Sequence, residues 1–200
     1  GFTSSYVNET DASVWSDLSS NMEDLDSLLI GETYQKSFRT FLLNLFQPAG
    51  RRMGWEPSRH EGHLEAIARA TVLSSLGKYG DEGVLNEANH RFNDWVEHFA
   101  DIPADLRTII LMTVARSGDI SSYDIMWDLY KKAQLQEEKV RLLRGLTAYR
   151  QPELLIQTLE RSLTDDVRVH DTINVVSAVA ANHHGQDLAW EFLKSNWFEF

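Results

Sequence analysis

The chain has 200 residues, 42% of them hydrophobic, which is enough apolar content for a substantial buried core. It contains no cysteine, so disulfides and thiolate metal sites are excluded, and this fits a cytoplasmic protein. Its formal net charge of -11 argues against a nucleic-acid partner, because phosphate binding requires a basic surface. No apolar run approaches the roughly 20 residues that span a bilayer, so we expect no membrane partner.

Apolar residues recur at helical spacing in the first 46 residues and predict a pair of amphipathic helices. The first stripe ends at Gly31 and the second begins at Tyr34. Their members are Val14, Leu18, Met22, Leu25, Leu28 and Leu29, then Tyr34, Phe38, Phe41, Leu42, Leu45 and Phe46. Residues 48–57 contain two prolines and two glycines and predict a loop, the longest connector in the chain.

Residues 61–99 predict a second helical pair with a glycine turn between its members. Gly77 and Gly80 are expected to end the first helix, and Asp81 can accept hydrogen bonds from the N–H groups that open the next. The two apolar stripes are Leu64, Ile67, Ala68, Thr71, Val72 and Leu76, then Leu85, Ala88, Phe92, Trp95, Val96 and Phe99. Two such stripes cannot both be buried in one hairpin, so each pair must stack on neighbours.

Three further pairs follow, and their turns repeat at a regular interval. Residues 106–114 are apolar on nearly every side and predict an inner helix, with an outer partner marked by Tyr123, Met126, Trp127 and Tyr130. Helices over 140–149 and 155–163, then over 169–180 and 188–197, complete the set. The turns near Gly80, Gly118, Gln151 and Gly185 lie 38, 33 and 34 residues apart, a spacing typical of helical-pair repeats.

The β-branched pairs at 109–110 and 175–176 could indicate strands, but neither run alternates and each lies within a longer helical pattern. The sequence therefore predicts an all-α fold. We expect a curved superhelical array of about ten antiparallel helices in HEAT- or armadillo-like pairs. Residues 1–200 are expected to form a single helical-repeat domain, excised from a larger C-terminal domain, because aromatic residues at 197–200 would leave the last helix uncapped.

One short motif suggests a zinc site but has the wrong spacing. His60-Glu61-Gly62-His63 resembles the H-E-x-x-H of zinc peptidases, in which two histidines four residues apart share a helical face. Here the histidines are three apart and no third ligand follows. Since no phosphate loop, nucleophile elbow or carboxylate pair is present either, the sequence predicts no catalytic, cofactor-binding or metal-binding residue in this chain.

Several short segments, taken together and in order, carry a resemblance to a known family. They are VWSDL at 14–18, GWEP at 54–57, EGHL at 61–64, ADLR at 104–107, DIM at 124–126, QEEK at 136–139 and AWEFLKSNW at 189–197. The set resembles the C-terminal helical (ERAP1-C-like) domain of the puromycin-sensitive aminopeptidases, within the zinc aminopeptidase family of the aminopeptidase N type. The resemblance runs across essentially the whole chain.

The resemblance implies a metalloprotease parent whose catalytic domain, absent from these residues, binds zinc and acts on peptide substrates. In that family the helical array forms a bowl over the active site. This chain would then be a domain that encloses substrates and controls access in a hydrolase that removes N-terminal residues from peptides. Its expected partners are the parent's catalytic domain and peptide substrates, and it should be inert alone. The alternative is a free-standing helical-repeat scaffold that binds another protein without any link to catalysis.

Two arginines are candidates for peptide contact. In relatives, basic side chains on the concave wall hold a peptide's C-terminus, and Arg150, at the end of the helix predicted over 140–149, aligns with such a position. Arg116 ends the inner helix of the preceding pair. An arginine at a helix C-terminus is favoured by the negative pole of the helix, while its remaining donors can reach a peptide carboxylate.

Overall fold

The computed structural model describes residues 5–6, 8–59, 61–98 and 100–199, so His60, Phe99 and Phe200 lie outside the described residues. The all-α prediction is confirmed, because the described residues contain ten α-helices, one short 3-10 helix and no strand. The helices are α1 (Ala12–Leu28), α2 (Gln35–Met53), α3 (His63–Tyr79), α4 (Glu82–His98), α5 (Ala104–Ser117), α6 (Ile120–Lys132), α7 (Gln136–Leu146), α8 (Pro152–Ser162), α9 (Val169–Ala181) and α10 (Gln186–Ser195).

The chain divides into two compact units, Gly1–Glu87 and Ala88–Phe200, and the division falls within α4. The expectation of one helical-repeat domain over 1–200, with HEAT- or armadillo-like pairing, remains a prediction. Within the described ranges, no helix combines the length and the apolar content that crossing a membrane requires.

In the first unit, α1 and α2 both pack on α3. Trp15 of α1 is fully buried, and its ring centroid lies 5.7 Å from that of Phe46 on α2. Leu42 of α2 and Val72 of α3 are also fully buried in this unit. Three helices thus bury their apolar faces around these large side chains, which supplies most of the driving force for the unit.

The loop predicted over 48–57 is wrong in its first half, because α2 continues through Pro48 to Met53. A Cβ atom on Gly50 would lie 2.4 Å from Cδ1 of Leu76, so the glycine lets α2 approach α3 closely. Ala49 is fully buried as well. Tertiary packing therefore outweighs the roughly 3 kcal/mol that proline costs inside a helix. The helix ends at Gly54, whose φ of 61° is in the left-handed region.

The face that α1 buries differs from the predicted stripe. Leu25 is 45% exposed and Leu28 is 78% exposed, whereas Asp26 is only 3% exposed. Asp26 accepts hydrogen bonds from Nε and Nη2 of Arg39 at 2.8 and 2.9 Å. Because this paired carboxylate takes the inward position, the last two turns of α1 are anchored by an ion pair and the leucines face outward.

Several predicted helix boundaries are confirmed. Gly80, with φ of 89°, ends α3, and the Asp81 carboxylate accepts a hydrogen bond from the Val84 N–H at 3.0 Å. Contrary to the prediction, Gly77 does not end the helix but lies buried within α3. Leu64, which the prediction placed on the buried stripe, is 65% exposed. The strand alternative at 109–110 and 175–176 is excluded because both pairs lie in helices.

The second unit contains two layers of alternate helices. One layer contains α5, α7 and α9, and in it α7 contacts both neighbours. The other layer contains α6, α8 and α10; α6 packs on α7, and α8 packs on α9 and α10. Tyr123, Tyr130 and Tyr149 are fully buried in this unit. Gly145 on α7 allows close packing, since a Cβ atom there would lie 2.6 Å from Sδ of Met126. This arrangement brings the C-terminal ends of α5, α7 and α9 together at one edge.

Candidate functional site

The edge formed by the ends of α5, α7 and α9 is held together by two amide side chains. Gln151 donates a hydrogen bond from Nε2 to the carbonyl oxygen of Gly118 at 2.7 Å. Asn182 donates from Nδ2 to the carbonyl oxygens of Thr147 and Tyr149 at 2.9 and 2.7 Å. Each amide satisfies carbonyl groups that follow a helix end, and so joins one helix of the layer to the next. We call this the amide edge.

The predicted period also appears in side-chain contacts away from this edge. Tyr123 Oη and Thr158 Oγ1 share a hydrogen bond of 3.1 Å and are 35 residues apart. Gln136 donates to Asp171, likewise 35 residues away, at 2.6 Å. The two contacts join α6 to α8 and α7 to α9, at a sequence separation close to the predicted period.

The amide edge brings the two predicted arginine positions into neighbouring segments. Arg116 lies in the last turn of α5, half-buried and two residues before Gly118. Arg150 is exposed and precedes Gln151, whose side chain bonds to Gly118. Both cations consequently lie at the same edge of the second unit. Whether they touch a peptide remains a prediction.

The helix predicted over 140–149 is wrong at its C-terminal end. Helix α7 ends at Leu146, and Arg150 lies in the linker before α8 rather than on a helix. Gln151 has extended backbone angles, φ of -75° and ψ of 121°, which the following proline favours. Pro152 then occupies the first turn of α8, as predicted. The stabilisation of Arg150 by the negative pole of its helix, which the sequence predicted, therefore does not apply.

A groove of about 430 Å³ separates α7 from α9, and sequence reasoning did not predict it. Its apolar lining comes from Val140, Leu143, Val175 and Ala178. Its polar lining comes from Arg144, Thr147, Asp171, Asn174 and Ser177. One signal was present in the sequence, since Asp171 precedes Val175 and Val179 by four and eight residues and so lies on the buried stripe of α9.

The buried phenols in this unit act as structural hydrogen-bonding groups. Burial raises the pKa of Tyr149 well above its ordinary value, although the hydrogen bond with Ser122 opposes the shift. Burial also raises the pKa of Tyr130, and the negative charge of Asp171 adds to that effect. Tyr130 donates to the carbonyl oxygen of Asp166 at 3.0 Å. These phenols keep their protons at neutral pH and are not candidates for acid–base chemistry.

The described residues contain no candidate zinc site, and His60 of the predicted motif lies outside them. Among the described residues, there is no group of three or more histidine, aspartate or glutamate side chains that could hold a metal ion. His63 is exposed at the first residue of α3, and Glu61 forms an ion pair with the buried Arg69. Glu61 thus anchors the segment before α3, and we assign no catalytic step to these residues.

Comparisons with known proteins give a consistent result. The family model described as "ERAP1-like C-terminal domain" matches residues 1–200. Aminopeptidase M1-A of Oryza sativa subsp. japonica is 34% identical over 164 residues, which cover 80% of this chain and 18% of that protein. Aminopeptidase M1-B of the same plant is 30% identical over 199 residues, covering 96% and 22%. Glutamyl aminopeptidase of Mus musculus is 27% identical over 160 residues, covering 79% and 17%. The chain thus spans about a fifth of the length of these relatives.

Proposed function

Because the chain belongs to the ERAP1-like C-terminal domain family, we propose that it is the C-terminal domain of a zinc metalloaminopeptidase that removes N-terminal residues from peptides. In this proposal the domain encloses substrates and controls their access to the active site. The family match over all 200 residues carries the proposal, and the names of the similar proteins, all aminopeptidases, support the activity of the parent.

The proposal divides the chemistry between two parts of the parent protein. The catalytic domain holds the zinc ion and is this chain's main partner, while the helices described above supply a wall for peptide substrates. The chain itself is expected to be inactive, and the parent is expected to be cytoplasmic. HEAT-like stacking of the helical pairs suits this role, because it builds an extended surface from repeated contacts.

Arg116 and Arg150 are the proposed peptide contacts. Their positions in adjoining segments at the amide edge support a shared role, because guanidinium groups bind carboxylates through charge-assisted hydrogen bonds. Arg150 is exposed, which suits contact with a ligand. A peptide whose N-terminal residue lies at the zinc ion could then place its C-terminal carboxylate here.

The test uses the full-length parent with Arg150→Ala, and with Lys132→Ala as the matched control. Lys132 is an exposed cation at the end of α6. The measurement is kcat/KM for a long peptide with a free C-terminus, the same peptide amidated, and a single aminoacyl reporter. We expect a loss of about tenfold for the first substrate only, equivalent to about 1.4 kcal/mol.

Two results would contradict this assignment. If the free and amidated peptides lose activity equally, or the short reporter declines as far, then Arg150 contributes to folding and not to recognition. The scaffold alternative is tested separately by the gene, since it requires that no H-E-x-x-H sequence be encoded upstream of this segment in the parent.

A further inference from the structure

The groove between α7 and α9 has a defined polarity. The two helices run parallel, because Gln136 bonds to Asp171 near their N-terminal ends and Asn182 bonds to Thr147 O beyond their C-terminal ends. Asp171 therefore lies toward one end of the groove and Arg144 toward the other. Gln136 and Arg144 are eight residues apart in α7, a rise of about 12 Å along the helix.

The Asp171 end has more hydrogen-bond acceptors than donors. Asp171 is 9% exposed, and its Oδ2 accepts the hydrogen bond from Gln136 Nε2 at 2.6 Å. Gln136 Oε1 is buried and receives no hydrogen bond from the described residues. If the Gln136 amide were flipped, its Oε1 would face the Asp171 carboxylate and the two negative oxygens would repel each other. This repulsion fixes the orientation of the Gln136 amide. A buried carboxylate beside a buried acceptor that lacks a donor is suited to a positively charged donor such as an ammonium group.

Two of the donors around this end, Tyr130 and Lys139, are engaged elsewhere. Tyr130, whose pKa responds to the charge of Asp171, donates its hydroxyl to Asp166 O and not to the carboxylate. Lys139 places its Nζ over the Tyr130 ring, 5.0 Å from the ring centroid. Neither group therefore supplies the missing donor.

The opposite end carries an exposed cation. Arg144 lies in the last turn of α7, is exposed and forms no ion pair with another described residue. A guanidinium group is suited to a carboxylate because its planar donors match the two oxygens. Between the two ends lie the apolar side chains of Val140, Leu143 and Val175.

We propose that this groove binds a short peptide with both ends free, its ammonium group at Asp171, beside Gln136, and its carboxylate at Arg144. An extended chain advances about 3.3 Å per residue, so three residues cover about 10 Å and match the span between the two ends. The groove volume of about 430 Å³ also lies in the range of small-ligand sites. This inference goes beyond the proposed function, because it concerns a peptide that this chain holds by both of its ends.

The first test compares three peptides on the unaltered 200-residue chain. Calorimetric titration with tri-L-alanine should show saturable binding, whereas N-acetyl-trialanine and trialanine amide should each bind at least about tenfold more weakly. These comparisons need no variant, so the outcome does not depend on the folding of a mutant. Equal affinity for the three peptides, or no saturable binding of tri-L-alanine, would overturn the proposal.

The second test assigns each end of the peptide to its side chain. Asp171→Asn keeps the acceptor for Gln136 but removes the charge, so it should weaken tri-L-alanine binding about tenfold without affecting the acetylated peptide. Arg144→Gln should remove the preference for the free carboxylate, and Arg144→Lys should retain much of it. Asp165→Asn and Lys132→Gln, both at exposed positions that do not line the groove, are the matched controls.

Near-UV circular dichroism checks that each variant keeps the packing of its buried tyrosines. If Asp171→Asn does not fold, Gln136→Leu removes the buried acceptor instead and should weaken the same peptide. Variants that bind all three peptides as the unaltered chain does would refute the assignment. This binding test is independent of the kinetic test of Arg150, since it requires no catalysis.

Discussion

Replacing Asn182 by alanine tests whether the amide edge contributes to stability. The substitution removes two hydrogen bonds, to the carbonyl oxygens of Thr147 and Tyr149, and both of those residues are buried. It also removes the Oδ1 atom that accepts the backbone N–H of His184 at 3.1 Å. A buried acceptor left without a donor costs about 1–3 kcal/mol, and a more exposed hydrogen bond contributes about 0.5–1.5 kcal/mol. The two carbonyl groups alone span about 2–6 kcal/mol, and we expect Asn182→Ala to lower the free energy of unfolding by about 2–4 kcal/mol, in the lower part of this range because the Asn182 side chain is only half-buried.

Urea denaturation followed by far-UV circular dichroism measures this loss. With an m-value of about 2 kcal/mol/M, the midpoint should fall by about 1–2 M at unchanged m. Asn174→Ala is the matched control, because Asn174 is exposed and its amide only donates to His170 O in the same helix. Its effect should stay within about 0.5 kcal/mol.

A second variant separates hydrogen bonding from side-chain volume. Asn182→Asp has nearly the same size but cannot donate to the two carbonyl groups, so it should destabilise the chain at least as much as alanine. If Asn182→Ala costs less than about 1 kcal/mol, or the aspartate variant is as stable as the unaltered chain, then water or local rearrangement satisfies the carbonyl groups. The Asn182 bonds of the amide edge would then contribute no stability.

Three further outcomes are expected. Trp15→Ala should lower the free energy of unfolding by about 3–5 kcal/mol, because Trp15 is fully buried against Phe46. The control Leu28→Ser, at an exposed position, should change the urea midpoint little. A small effect of Trp15→Ala would contradict the packing described for the first unit. Burial raises the pKa of Tyr149 in the folded state above 10.0, so the stability that the buried neutral phenol contributes is complete below that pH and is lost as pH rises above it. Urea midpoints measured between about pH 9 and 11 should therefore fall with pH. They should fall less in Tyr149→Phe, which has no phenol to ionise. After dialysis against zinc, metal analysis of the chain should find less than one equivalent, and one tightly held ion per chain would contradict the absence of a ligand group in the described residues.

The sequence determined the helices and most of their boundaries, because apolar periodicity and turn residues act locally. The 3.6-residue stripes located ten helices, Gly80 ended α3 as expected, and Pro152 opened α8. The family resemblance was also readable, since short ordered segments survive in the linear sequence. These features depend on each residue and a few neighbours.

Tertiary structure alone decided where an apolar residue faces outward and where a helix continues past residues that oppose it locally. Pro48 and Gly50 oppose a helix locally, yet α2 continues because close packing on Leu76 of α3 stabilises it. Leu28 is apolar but faces outward, since Asp26 pairs with Arg39 on the inner side. Each of these outcomes balances a local preference of about 1–3 kcal/mol against contacts with residues distant in sequence.

The candidate sites divide in the same way. Arg116 and Arg150 could be selected from the sequence, but their approach to one edge depends on the bond between Gln151 and Gly118, which are 33 residues apart. The groove between α7 and α9 was not predicted, because a groove is the space left between two packed surfaces and has no linear pattern. Sequence could show a carboxylate on the apolar stripe of α9, but only packing placed Gln136 beside it and left a buried acceptor without a donor.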